Sequence, residues 1–84
     1  MMYEIIGLRH VEYTRKDGQP AEGYEVHYTW DVPAGDGQGK FGDRVWMRPD
    51  VYAQYKDKLL VGAPLMPVFN SRGMFQGWVD SPME

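Results

Sequence analysis

An all-β fold with one short helix, a partly open five-stranded OB-like barrel in the order β-β-β-α-β-β, is what this 84-residue chain predicts. Three observations carry that expectation. Residues 24–32 alternate strictly between apolar and polar side chains, the period of a half-buried antiparallel strand. One apolar stripe at helical spacing, Val51, Tyr52, Tyr55 and Leu59, follows Pro49. Turn residues cut the remainder into short runs, and no parallel crossover is apparent.

The first strand is expected over residues 2–15. Tyr3, Ile5, Val11 and Tyr13 share one parity, whereas Ile6 and Leu8 share the other. A bulge or bend near Gly7 would swap the inward face, and a long bent first strand lets a small barrel coil on itself. Lys16-Asp17-Gly18-Gln19-Pro20 is a turn, because Asp-Gly supplies positive φ and Pro20 lacks a donor; the loop is expected to run to Gly23.

In the second strand Tyr24, Val26, Tyr28 and Trp30 should point inward, with Glu25, His27 and Thr29 outward. The segment 33–42, PAGDGQGKFG, holds four glycines and reads as a mobile loop. A third strand follows at Asp43–Arg48, with Arg44, Trp46 and Arg48 on one face and Val45 and Met47 on the other.

Pro49 and Asp50 suit a first helical turn, so a helix is expected near residues 49–60, ended by Gly62 and Pro64. A closing hairpin over 65–69 and 74–80 turns at Asn70–Gly73. Pro67 puts its first strand at an edge or beside a bulge. Residues 81–84 read as a loose tail. An SH3-like barrel is the main competitor, but it would normally lack a three-turn helix between its third and fourth strands.

Residues 1–84 form one domain, and its core must come from apolar and aromatic side chains: the chain is 43% hydrophobic with three Trp, six Tyr and three Phe, and has no cysteine. Without cysteine, without a basic leader and without an apolar run of membrane-spanning length, the expected compartment is the cytoplasm, with no membrane partner. A net charge of −3 argues against binding nucleic acid by bulk charge, but not against a local basic face.

No catalytic constellation emerges, and the chain reads as a non-enzyme without cofactor or metal. His10 and His27 lack metal-site spacing, and His27 and Asp31 stand roughly 13 Å apart along a strand. Ser71 lies in a turn and Ser81 in the tail. Glu25 and Asp31 read as solvated carboxylates. The loop GDGQGKFG lacks the spacing of a phosphate loop, and no helix follows it at once.

What remains is a basic and aromatic set: Tyr13, Arg15, Lys16, Arg44, Trp46, Arg48 and Arg72. Single-strand binding without base readout uses this mixture, with cations on phosphates and rings stacked on bases. Two ordinary readings stand beside it. Trp46 can be core, with Val45 and Met47 outside, and Arg44 and Arg48 can pair with Asp43 and Asp50.

The segment Arg15–Tyr28, RKDGQPAEGYEVHY, resembles the first hairpin of small single-stranded-DNA-binding proteins of the filamentous-phage type. Gly62–Val79, GAPLMPVFNSRGMFQGWV, resembles the closing hairpin of small OB-like proteins of phages and mobile elements. Together they cover 32 of the 84 residues. The resemblance implies single-stranded DNA or RNA as partner, and a homodimer. The negative net charge departs from the pattern, as does a helix longer than that type needs. A protein-interaction or assembly module is the alternative function. An enzyme or enzyme subunit is the third, and the missing constellation argues against it.

Overall fold

The structure, a computed structural model, describes residues 2–33 and 35–82. The alternating segment becomes the middle strand of an antiparallel sheet. Strands β1 (Tyr3–Thr14), β2 (Pro20–Asp31) and β3 (Lys40–Met47) pair in the order β1-β2-β3. Helix α1 (Pro49–Tyr55) follows, and β4 (Leu65–Phe69) with β5 (Phe75–Asp80) makes a separate two-stranded sheet. The element order is the expected one. The expected barrel closure is not: the five strands form two sheets that do not close through a continuous ladder.

The phase of β2 is as expected. Val26 and Tyr28 are buried, with Tyr24 and Trp30 half-buried on the same face. The face swap in β1 comes from a bulge at Ile6: Ile5 pairs with Tyr28, Gly7 with His27, and Leu8 with Val26. Ile5 and Leu8 therefore both face inward, and Ile6 is left exposed. On β3, Val45 and Met47 are buried, so Trp46 belongs to the outer face and not to the core. Ile5, Val26, Tyr28, Val45, Met47, Leu59, Leu65 and Trp78 form the core. Burying an aliphatic side chain of this size stabilises by about 1.5–3 kcal/mol.

Several boundaries differ from expectation for identifiable reasons. β2 starts at Pro20, because β1 and β2 stay in register down to Thr14 opposite Pro20; the missing proline donor falls at the strand's first residue. β3 starts at Lys40, where the ladder already pairs Lys40 with Asp31 and Phe41 with Trp30. The helix ends at Tyr55, earlier than the apolar stripe suggested. Leu59 is fully buried from the turn beyond it, its N–H donating to the Tyr55 carbonyl at 2.9 Å. In the 33–42 loop, Ala34 lies outside the described residues.

The tail is anchored at its start. The Ser81 N–H donates to the Pro64 carbonyl at 2.8 Å, and its Oγ accepts from the Tyr3 N–H at 2.8 Å. Met83 and Glu84 lie outside the described residues. Pro67 sits in a two-stranded sheet with an irregularity at Val68–Phe69, the edge-and-bulge setting expected of it. The Asn70 carboxamide oxygen caps the closing turn by accepting from the Arg72 and Met74 N–H groups, and Gly73 supplies φ +78°.

The β1–β2 hairpin runs on past the core. From Glu12 to Pro20 every residue is exposed, and the molecule measures 50 × 25 × 24 Å. Among the described residues no helix is long and apolar enough to cross a membrane.

Candidate nucleic-acid interface

The three-stranded sheet buries one face and leaves the other open. Alternation sends Arg9 and Tyr13 of β1, Glu25 and His27 of β2, and Arg44 and Trp46 of β3 to the open face. Arg9 stands there only because the Ile6 bulge reverses parity; an unbroken strand would aim it inward.

Trp46 is paired with Glu25 in register but leans over Gly23. Its six-membered ring occupies the space that a Cβ at position 23 would need. Tyr13 meets it edge-on, with ring centroids 5.9 Å apart. As whole residues Trp46 and Tyr13 are 45% and 46% exposed. A large aromatic with a glycine beneath it and a second ring at its edge presents an open face on which a planar group can stack.

Beside the rings lies a charge cluster centred on Glu25. Arg9 Nη2 donates to Glu25 Oε2 at 3.2 Å, and Arg44 Nη1 lies 3.6 Å from the same oxygen. His27 Nε2 is 2.7 Å from Glu25 Oε1. The hydrogen bond from His27, followed by that from Arg9, holds the Glu25 carboxyl below the ordinary carboxylate value, against the opposing effect of partial burial. Two guanidiniums against one carboxylate leave this patch net positive within an acidic chain.

The expected site residues are thus only partly united. Tyr13, Arg44 and Trp46 share the open face. Arg48 follows β3 at the start of α1 and pairs with Asp50 at 3.3 Å, as the ordinary reading had it. Arg44 does not pair with Asp43 through its side chain; the Asp43 carboxylate accepts instead from the Arg44 backbone N–H at 2.7 Å. Arg15 and Lys16 sit at the tip of the long hairpin, with Arg15 3.4 Å from Asp17. Arg72 is in the turn of the second sheet and does not belong to this face.

Arg9, Glu25 and His27 were not among the expected site residues. The alternation of β2 already marks Glu25 and His27 as outward. Arg9 is outward once the face swap expected near Gly7 is applied. Glu25 is not the solvated carboxylate expected: its side chain is 14% exposed and held by three partners.

On the inward side of the hairpin arm His10, Glu12 and Glu22 gather their ligand atoms within 4.8 Å, all three exposed. An open depression of about 550 Å³ beside them is lined by Glu12, Tyr13, Thr14, Pro20, Ala21 and Glu22. Its lining offers two carboxylates and no lysine or arginine. No protein-family model matches the chain, and no curated protein or solved structure matches it significantly.

Proposed function

We propose that this protein binds single-stranded nucleic acid, without catalysis, on the outer face of β1–β3. The observation that carries the reading is the exposed Trp46–Tyr13 pair beside Arg44 and Arg9, whose side chains are 68% and 67% exposed. Rings at this exposure contribute little to the core. They offer bases a surface worth about 1–3 kcal/mol per stacked base. The adjoining guanidiniums supply phosphate contacts, and Lys16 and Arg15 extend the positive groups toward the hairpin tip. Sequence preference is expected to be weak, because every base has a π-face.

An OB-like barrel belongs to the same proposal. The strand order supports it, as do two backbone hydrogen bonds that tie β1 to the segment before β4. The Gly62 N–H donates to the Ile5 carbonyl at 2.7 Å and the Ile5 N–H to the Ala63 carbonyl at 3.0 Å. Trp78 of β5 reaches β3 through its indole N–H, 3.4 Å from Met47 Sδ. In such barrels the second and third strands are the usual binding surface. A cytoplasmic location goes with this reading, since single strands are handled there and the chain has no cysteine to oxidise.

A second reading, assembly with a further copy, is favoured by exposed apolar side chains away from that face, including Phe41, Phe69 and Met74. Sedimentation over a wide concentration range tests it, and a monomer throughout removes it. The primary reading is tested by titrating a labelled single-stranded oligonucleotide at low salt. Saturable binding that weakens with salt is expected, and no binding refutes it.

A further inference from the structure

Glu25 stands at the middle of the outer face, on the middle strand. Its direct partners are Arg9 on β1 and Trp46 on β3, with Arg44 and His27 at diagonal and same-strand positions. Arg9 Nη2 and Arg44 Nη1 converge on Oε2 at 3.2 and 3.6 Å, and His27 Nε2 on Oε1 at 2.7 Å. All three strands thus send a nitrogen-bearing group to one carboxylate. That carboxylate is largely covered, while both guanidiniums stay mostly open to solvent.

Donors converging from separate strands on one oxyanion are also what a phosphate group needs. Guanidinium groups bind carboxylate and phosphate oxygens with the same planar fork. We propose that this cluster is a phosphate-binding site whose resident anion is Glu25. A backbone phosphate competes with the Glu25 carboxylate for Arg9 and Arg44, so Glu25 sets how tightly the face holds a strand. Identifying the phosphate as part of a nucleic-acid backbone rests on the function proposed above; the anion site itself does not. The competition keeps two like charges in place on a free protein and prevents the face from holding any single phosphate too firmly.

Glu25→Gln keeps the shape and one acceptor and removes the charge. Inorganic phosphate is titrated into wild type and variant while the Arg9 and Arg44 guanidinium resonances are followed by NMR. The variant should saturate at roughly fivefold lower phosphate, the effect of removing one competing unit charge near 4 Å in a water-like medium. An oligothymidylate should bind the variant more tightly, with a log–log salt slope steeper by about 0.7 for one added phosphate contact. That gain should vanish when Arg9→Gln and Arg44→Gln are added. Equal phosphate responses overturn the proposal, as does a gain that survives loss of both arginines, which would be bulk charge alone. If phosphate responds as expected and neither protein binds the oligonucleotide, the anion site stands and the nucleic-acid reading falls. Glu25→Thr, a good strand former, serves the same measurements should the Gln variant fail to fold.

Discussion

The indole of Trp46 fills the space above Gly23 that any larger residue's Cβ would enter. The glycine and the ring are therefore one feature: the absence of a side chain on β2 lets a side chain of β3 lie down on the sheet. Gly23→Ala should lift the ring off the sheet. Alanine in place of a strand glycine gains roughly 0.5–1 kcal/mol of chain entropy, which offsets the displaced contact. Stability should change little, whereas tryptophan fluorescence shifts to the red and oligonucleotide binding weakens. An unchanged emission spectrum would show that the ring is not seated there.

The three tryptophans should separate cleanly by stability. Trp78 is 5% exposed and bridges the two sheets, so Trp78→Ala should cost about 3–5 kcal/mol. Trp30 lies at the sheet end, half-buried and stacked on Tyr3 with ring centroids 5.6 Å apart. Trp30→Ala should cost less, about 1–3 kcal/mol, and Trp46→Ala least. Urea unfolding of the three variants checks the order, and a Trp30 cost matching that of Trp78 contradicts it.

Acid should act through Glu25. Folding lowers its pKa, chiefly through the His27 hydrogen bond. The resulting stability is present above the unfolded carboxyl's range, about pH 4.3, and is lost as pH falls through the lower folded value. Thermal melts at pH 6 and pH 3 should therefore show a larger drop for wild type than for Glu25→Gln. Equal drops would mean that the carboxylate contributes nothing to folding.

Much of this was legible from residues alone. The alternation at 24–32 set the phase of β2, and with it the inward Val26 and Tyr28. The parity of β3 set Trp46 apart from Val45 and Met47, but left open which of the two faces is the core. The swap of face in β1 was readable from Ile5 against Leu8, and the bulge lies within a residue of the expected Gly7; that swap already turns Arg9 outward, but which charge Arg9 meets was not readable. The Glu25 cluster was missed for the same reason: cross-strand register decides which charges meet, and a one-residue slip rearranges every pair. Helix length was overread because Leu59 continues the spacing of the stripe while its backbone has already left the helix. Barrel closure was expected from element order, which does not say which strand edges pair; β4 and β5 form a sheet of their own. Arg72 joined the expected site by its charge and its place at a hairpin tip close in sequence to Phe75.

Direct titration of an oligothymidylate at low salt, read by tryptophan quenching and repeated across a salt series, tests the central claim most directly. Wild type should bind saturably. Trp46→Ala should lose about 1–3 kcal/mol of affinity, one stacked base, and Arg44→Ala should flatten the log–log salt slope by about 0.7. The two variants should stay folded, since both side chains stand outside the core. No quenching and no anisotropy change at any oligonucleotide concentration, with folded wild-type protein, would contradict the account.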